Sequence, residues 1–261
     1  MSTTSFTVFS TPSVSSVSSV SSVSTLSSTS CASSTFSWLA YLQFLDSALP
    51  IGGFSHSFGL ESAVQAGRVN SIDDLRQYAL TLLYYSWSPA DLSAIKAVYL
   101  FAPTKDWSSI WQVDRLLHIQ RAAIESREGT QKMGKRMLNL GQSIHPKLEW
   151  EPLKLAVHEG RCFAALPTVH GWVSLQLGVS LTLAAEGYLY SCLTNCINSA
   201  LRLMNIGQTQ TQSLLAELLP HIGLAWERVA ETDPFHCHSN TPAAEIYMMQ
   251  HEALYSRLFM S

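Results

Sequence analysis

The side chains best suited to metal chemistry lie near the C-terminus, where His236, Cys237 and His238 follow one another. Imidazole and thiolate groups are good ligands for divalent transition metals, and His221 or His251 could join them. Neighbours one or two positions apart rarely complete a metal site unaided, however, and the sequence offers no matching pair. We therefore predict no stable metal site, and keep metal holding by these three residues as the alternative function.

A second candidate is a near match to a phosphate-binding loop, which runs from Gly129 to Arg136. That motif needs a buried strand before its first glycine and a serine or threonine directly after its lysine. Here the preceding segment is charged and helical in pattern, and Arg136 follows Lys135. The sequence therefore excludes a phosphate-binding loop, and with it nucleotide hydrolysis by this chain alone.

The remaining catalytic patterns are incomplete. His158-Glu159 lacks the second histidine of a zinc-protease helix. No serine or cysteine has a neighbouring feature that marks it as a nucleophile. The sequence offers no convincing active site, so we predict that the chain is not an enzyme and holds no cofactor stably.

Composition limits the function further. The 261 residues are 47% hydrophobic and only 13% charged, which is about half the usual charged share. Either the core is large or other subunits cover much of the surface. The net charge of −3 gives no reason to expect nucleic acid. Five cysteines without framework spacing suit a reducing compartment, so we predict a cytoplasmic protein.

The chain divides into two parts. Residues 1–35 are rich in serine and threonine and have no core-forming stripe, so we predict a disordered tail. This tail lacks the apolar run of a secretory signal and the arginines of a transit peptide. Residues 36–261 carry helical periodicity almost throughout, without alternating strand patterns. We predict one all-α domain, a bundle of roughly ten helices.

Several helix boundaries follow from local signals. Ser71 and Asp74 have the spacing of a capping box that opens a helix. We predict further helices over 106–128, 153–166 and 189–204, with Pro167 opening or kinking the next helix and Pro220 at a helix start or kink. The polar side of the 106–128 helix predicts a solvated face of mixed charge or, alternatively, a partner-binding face; it carries Asp114, His118, Arg121, Glu125 and Glu128.

One uncharged segment, Cys162 to Ala185, is long enough to cross a membrane. Pro167, His170 and Gln176 interrupt it, and no basic cluster flanks it. We predict a buried central helix rather than a membrane span.

The loop from Leu49 to Glu61 lies between two helical patterns and contains one proline and three glycines. Pro50 ends the preceding helix, and Gly52-Gly53 permits a sharp turn or a close backbone approach. Ser55 or Ser57 can cap the helix that follows. Such a loop can bind a phosphate or a partner, or it can simply form a corner.

The C-terminal segment begins with a helical pattern over 245–252 that continues towards Ser261. Leu254, Tyr255, Leu258 and Phe259 are costly on final residues unless something covers them. Arg257 among aromatic residues has the composition of an interface hot spot. A C-terminal helix packed on its own core is the equal alternative.

The loop and the C-terminal segment share a pattern with one protein family. The matching loop residues are Leu49, Pro50, Ile51, Gly52, Phe54, Ser57, Gly59, Leu60 and Glu61. The matching C-terminal residues are Met249, His251, Glu252, Tyr255, Ser256, Arg257, Leu258, Phe259 and Ser261. Between them, matches occur at Glu125, Arg127, Met133, Gly134, Ser199, Ala200, Arg202, Leu203, Gly207 and Gln208. On these residues the chain resembles the urease accessory protein UreF family from about Phe36 to Ser261.

The resemblance implies a helical, non-catalytic scaffold that forms a homodimer. It implies binding to the accessory protein UreD (also called UreH) and the GTPase UreG, and GTP-dependent passage of nickel to apo-urease. Nickel would be handled by the complex, and GTP would be bound by UreG. The implied partner-binding residues are Pro50, Gly52, Phe54, Ser57, Gly59, Glu61, Arg127, Tyr255, Ser256, Arg257, Leu258 and Phe259.

Three further points concern individual residues. Glu61 and Arg127 are expected outside the core, where charge reversal would weaken GTPase recruitment more than folding. His170 is displaced from the position of a histidine that is frequent in the family, which puts a specific role for it in doubt. His236, Cys237 and His238 match no family feature, so a nickel-holding role for them remains the alternative.

Overall fold

A computed structural model describes residues 38–261, and this part of the chain is helical with no strands. The prediction of a single all-α domain of about ten helices is confirmed. The predicted disordered tail, residues 1–35, lies outside the described residues.

The helices follow one another with short connections. They are α1 (38–45), α2 (Leu60–Gln65), α3 (Ile72–Leu82), α4 (Leu92–Phe101), α5 (Trp107–Gln120), α6 (Ile124–Ile144), α7 (Glu151–His158), α8 (Leu166–Gln176), α9 (Leu181–Leu203), α10 (Gln208–Glu227) and α11 (Pro242–Gln250). Short 3₁₀ turns occupy Gly53–Ser55, Pro234–His236 and His251–Ala253.

The start of α3 agrees with its local sequence signal. The Ser71 hydroxyl accepts a hydrogen bond from the Asp74 amide, and the Asp74 carboxylate accepts one from the Ser71 amide. This reciprocal arrangement satisfies amides that the first helical turn leaves free. The predicted capping box is confirmed.

A π-helical stretch, Leu83–Asp91, joins α3 to α4 and contains Pro89. Proline has no amide hydrogen and cannot continue a regular α-helical hydrogen-bond ladder. The Tyr85 carbonyl instead accepts a hydrogen bond from the Asn240 amide at 2.7 Å. The widened helix therefore anchors the segment that leads into α11.

The predicted buried central helix is confirmed only over α8, because the segment from Cys162 to Ala185 breaks before Leu166 and again between Gln176 and Leu181. α8 begins at Leu166 with Pro167 in its first turn, as expected, and every residue from Pro167 to Ser174 is buried. It packs between α4 and α6, with α9 alongside. Among the described helices, none has the length and apolar content needed to cross a membrane.

The predicted helix over 106–128 is wrong, because the chain breaks between α5 and α6. Arg121 and Ala123 have extended backbone angles. The Arg121 side chain forms a buried ion pair with Asp91 of the π-helical stretch, and the Arg127 guanidinium donates to the Arg121 carbonyl at 2.9 Å. Tertiary contacts thus replace the hydrogen bonds that a continuous helix would make.

The predicted solvated face is also wrong at Asp114, which is fully buried. Its carboxylate accepts hydrogen bonds from the Phe163 and Ala165 amides and from the Thr168 hydroxyl, at 2.6, 3.0 and 2.6 Å. These contacts hold residues 159–165 in an irregular connection. The predicted helix over 153–166 therefore ends at His158 instead.

Two further sequence expectations concern α6 and α10. Gly129 to Arg136 lies inside α6, so excluding a phosphate-binding loop was correct. Pro220 lies within α10 rather than at its start.

Candidate functional site

The loop over 49–61 and the C-terminal tail, residues 254–261, lie against each other. We call the two together the loop–tail corner. Two glycines shape the loop. Gly52 and Gly59 both have positive φ, at 90° and 89°, which favours glycine. A Cβ atom at Gly59 would come within 3.2 Å of the backbone of α11. Gly59 therefore allows the helix that precedes the tail to pack directly onto the loop.

The tail after α11 is extended, so the predicted helical run towards Ser261 is wrong. The Ser261 carbonyl oxygen accepts hydrogen bonds from the Ser57 amide, the Phe58 amide and the Ser57 hydroxyl, at 2.6, 3.1 and 2.9 Å. The Met260 amide donates to the Ser55 carbonyl at 2.8 Å. The loop thus supplies the backbone partners that a helix would otherwise provide.

Glu61 lies beneath the tail and is only 2% exposed, so the expectation that it lies outside the core is wrong. Its carboxylate accepts hydrogen bonds from the Leu258 and Phe259 amides at 2.7 and 3.0 Å. The burial is tolerated because charge-assisted hydrogen bonds replace the lost hydration.

His251 connects Glu61 to a second carboxylate. Its Nε2 lies 3.1 Å from Glu61, and its Nδ1 lies 2.5 Å from Glu125. Ionised carboxylates only accept hydrogen bonds, so the ring satisfies both partners only when both of its nitrogens donate. Arg257 of the tail donates to the other Glu125 oxygen at 2.7 Å. The resulting cluster joins His251 and Arg257 to the carboxyl groups of Glu61 and Glu125.

Arg202 of α9 contacts both the tail and the loop. Its guanidinium lies 4.3 Å from the centre of the Phe259 ring, which is 5% exposed. It also donates to the Phe54 carbonyl at 2.7 Å. Stacking and hydrogen bonding by one arginine therefore hold loop and tail together.

Comparisons with known proteins show which family the chain belongs to. A family model described as UreF matches residues 69–219, more than half of the chain. A urease accessory protein UreF from Actinobacillus pleuropneumoniae serotype 3 is 33% identical over 219 residues, which are 83% of this chain and 96% of the relative. The chain belongs to the UreF family. A UreF from Lachnoclostridium phytofermentans is 30% identical, over 84% of this chain and 96% of its own.

The structure brings together most of the site residues that the UreF resemblance implied. Across the corner, Ser57 bonds to Ser261, and Glu61 bonds to Leu258 and Phe259. Gly59 lies against α11, which precedes the tail. The remaining members in or beside the corner are Pro50, Gly52, Phe54, Tyr255, Ser256 and Arg257.

Arg127 is the implied site residue that lies apart. It is half-buried and serves the break between α5 and α6. Conversely, Glu125, His251 and Arg202 contact the corner. The sequence suggested a metal ligand at His251 and a polar helix face at Glu125, and only the UreF-like motifs marked all three.

Several side chains of the corner face outward. Tyr255 is fully exposed, and Phe54, Leu258 and Met260 are each more than half exposed. Large apolar side chains on a backbone that is fixed from below are typical of protein interfaces.

The electrostatics of the corner affect His56, whose ring stacks on Phe58. Burial, followed by the positive charges of Lys132 and Arg136, lowers the pKa of His56 to about 4. The ring is therefore neutral at pH 7, and its Nδ1 lies 2.7 Å from the Ser261 hydroxyl.

The segment with the best metal-ligand composition is not assembled into a site. His236 and His238 are exposed, whereas Cys237 is buried with its thiol towards the Ala90 carbonyl. Burial raises the pKa of the Cys237 thiol to about 11, which disfavours the thiolate that a metal needs. Across residues 38–261, no group of three or more histidine, cysteine or acidic side chains is arranged to hold a metal ion.

A cavity of about 150 Å³ lies beside the loop, between α1, α6 and α9. Its walls include Ile51, Met133, Met137, Cys192 and Cys196, and are largely apolar. Burial raises the pKa of Cys196 to about 12, so this thiol stays protonated.

Proposed function

We propose that this member of the UreF family is a non-catalytic scaffold for urease maturation. It binds UreD (UreH) through the loop–tail corner and, together with the GTPase UreG, supports GTP-dependent delivery of nickel to apo-urease. The observation that carries the proposal is the construction of the corner. A polar cluster built on the buried side chains of Glu61 and His251 fixes the tail, while Phe54, Tyr255 and Leu258 remain exposed.

The physical basis is preorganisation. A disordered tail would lose conformational entropy on binding, at about 1–2 kcal/mol per residue for the backbone alone. Here Glu61 already holds the Leu258 and Phe259 amides, and the loop holds Ser261. Binding then mainly buries apolar side chains that already face outward, which favours a tight complex.

The other roles follow from the same proposal. The chain acts as a homodimer in the cytoplasm, nickel passes through the complex as cargo, and GTP is bound by UreG. The low charged share, 13%, supports a surface that several partners cover. The matching relatives, named urease accessory proteins, support a role without its own chemistry.

Deleting residues 255–261 tests the proposal. We expect the truncated chain to keep its helicity and dimerise but to lose capture of UreD and activation of urease in a reconstituted mixture. The matched control is Leu100→Ala, which shortens an exposed apolar side chain on α4. Unchanged co-purification of the truncated chain with UreD would contradict the proposal.

UreG recruitment is tested separately at Arg127. We expect Arg127→Glu to weaken UreG recruitment by the complex with UreD, with less effect on stability. Arg115→Glu, at an exposed position of α5, is the control. Loss of folded protein for Arg127→Glu alone would show that Arg127 is structural, through its hydrogen bond to the Arg121 carbonyl.

A further inference from the structure

We infer that the loop–tail corner selects a partner surface that offers an apolar pocket bordered by carboxylates. The ring of Phe54 enters the pocket, and the guanidinium groups of Arg136 and Arg202 pair with the carboxylates. This inference rests on the proposed function, because it names the chemistry of the partner at the same corner.

The first observation is that the loop backbone holds both guanidinium groups beside Phe54. Arg202 donates to the Phe54 carbonyl at 2.7 Å, and Arg136 lies 3.4 Å from the Ile51 carbonyl. Gly52 lies so close to Arg136 that a Cβ atom there would come within 2.2 Å of its Nη1. One guanidinium group therefore lies beside Ile51 and Gly52, and the other lies beside the Phe54 carbonyl.

The second observation concerns how these charges are paired. Arg76, Arg121, Arg161 and Arg257 each form an ion pair with a carboxylate. The other six arginines of residues 38–261 form none; Arg136 and Arg202 are two of these six, and both are exposed. An arginine held by carbonyl groups alone keeps its full charge and N–H donors for an external carboxylate.

The third observation is a positive field at the loop in a chain whose net charge is −3. His56 responds to this field, because after burial the two largest contributions that lower its pKa come from Lys132 and Arg136. Lys132 itself is paired with Glu128, so Arg136 supplies the unpaired charge there. Near His56 the charges of Lys132 and Arg136 therefore outweigh that of Glu125, which acts in the opposite direction.

The fourth observation is the apolar centre between these charges. Phe54 is 64% exposed, and Met260 and Leu258 of the tail are 58% and 52% exposed. An aromatic anchor flanked by arginines is the usual composition of a binding hot spot. A partner that pairs the arginines must present carboxylates, and one that buries Phe54 must present an apolar pocket. Binding only to nucleic acid or to an anionic lipid surface would leave Phe54 without this pocket.

The experiment measures the affinity of the full chain for purified UreD at about 50 and about 300 mM NaCl, where screening weakens exposed ion pairs. We expect wild-type affinity to fall several-fold between the two conditions. The double variant Arg136→Gln with Arg202→Gln should bind at least about 10-fold more weakly at low salt and lose most of the salt dependence. Arg115→Gln with Lys147→Gln removes the same charge from exposed positions elsewhere and should stay within about 2-fold of wild type.

Two further variants separate the contribution of the Phe54 ring from that of the arginine charges. Phe54→Ala should weaken binding about 10-fold while keeping the salt dependence. Arg136→Gln alone leaves the contacts of Arg202 with the tail intact, so its effect cannot be attributed to a displaced tail. Binding of UreD that is insensitive to salt and to the arginine variants would overturn the inference but leave the proposed function standing. Absence of wild-type binding to UreD, or binding only to nucleic acid or anionic vesicles, would overturn both.

Discussion

Two buried carboxylates, Asp114 and Glu61, do the same work in different parts of the molecule. Each projects from a helix and accepts hydrogen bonds from two backbone amides of an irregular segment far away in the sequence. Asp114 holds the irregular connection over 159–165 and the Thr168 hydroxyl at the start of α8, and Glu61 holds the tail.

The two held segments differ in their surroundings. The Asp114 segment joins α7 to α8, and Cys162, Ala164 and Ala165 within it are buried. The segment held by Glu61 follows α11 and exposes Tyr255, Leu258 and Met260. A buried carboxylate that binds backbone amides can therefore stabilise either a core segment or a surface segment. The exposure of the segment that it binds distinguishes the two cases.

The largest expected effect is at the core carboxylate. Asp114→Ala leaves the Phe163 and Ala165 amides and the Thr168 hydroxyl without their acceptor. We expect the free energy of unfolding to fall by about 3–5 kcal/mol, measured by urea denaturation. Asp73→Ala, which removes only an exposed partner of Arg76, should change it by less than about 1 kcal/mol. A small effect at Asp114 would remove the contrast with Glu61.

The next largest expected effect is a loss of stability at acid pH. Burial lowers the pKa of His170, in the core, to about 4, against about 6.5 when unfolded. The unfolded chain therefore takes up the proton first, and the stability contribution is fully present above pH 6.5 and is lost as the pH falls towards 4. The loss amounts to about 3 kcal/mol. His170→Gln should reduce the dependence of the free energy of unfolding on pH between pH 6.5 and 4. An unchanged pH dependence would contradict the assignment of this loss of stability to His170.

A smaller effect is expected at the corner carboxylate. Glu61→Gln removes the charge that faces His251, but its amide oxygen can still accept one hydrogen bond. We expect the free energy of unfolding to fall by about 1–2 kcal/mol and amide exchange at Leu258 and Phe259 to become at least about 10-fold faster. Glu128→Gln, an exposed control on α6, should change neither. Global unfolding of Glu61→Gln would place Glu61 in the same class as Asp114.

The smallest effect on stability is expected at Tyr255, whose side chain is fully exposed. Tyr255→Ala should leave the free energy of unfolding within about 0.5 kcal/mol of wild type. Under the proposed function it should still weaken UreD binding about 10-fold, measured by titration. Leu100→Ala, at another exposed apolar position, should do neither. Equal UreD affinity for both variants would count against the tail as an interface.

Local sequence signals predicted those parts of the fold that local physics determines. Ser71 with Asp74 opens α3, Pro167 lies in the first turn of α8, and the uncharged segment around α8 is central. Each of these features depends on residues within a turn or two of one another. Periodicity is sufficient in such places because the helix and its buried face are specified together.

The failures share one physical cause. Asp114 and Glu61 look like ordinary helix-surface residues, and only segments distant in the sequence make their burial favourable. The tail has the composition of a helix, yet the loop amides and Glu61 offer its backbone better partners. Resemblance marked both motifs, but nothing in either motif alone predicted that they would meet.

The central claim is that the loop–tail corner is the face that binds UreD. Hydrogen–deuterium exchange of the full chain, alone and with saturating UreD, tests it most directly. The account predicts added protection over residues 51–61 and 254–261, with little change over 159–168. Protection confined to other helices, with unchanged exchange at the corner, would contradict it.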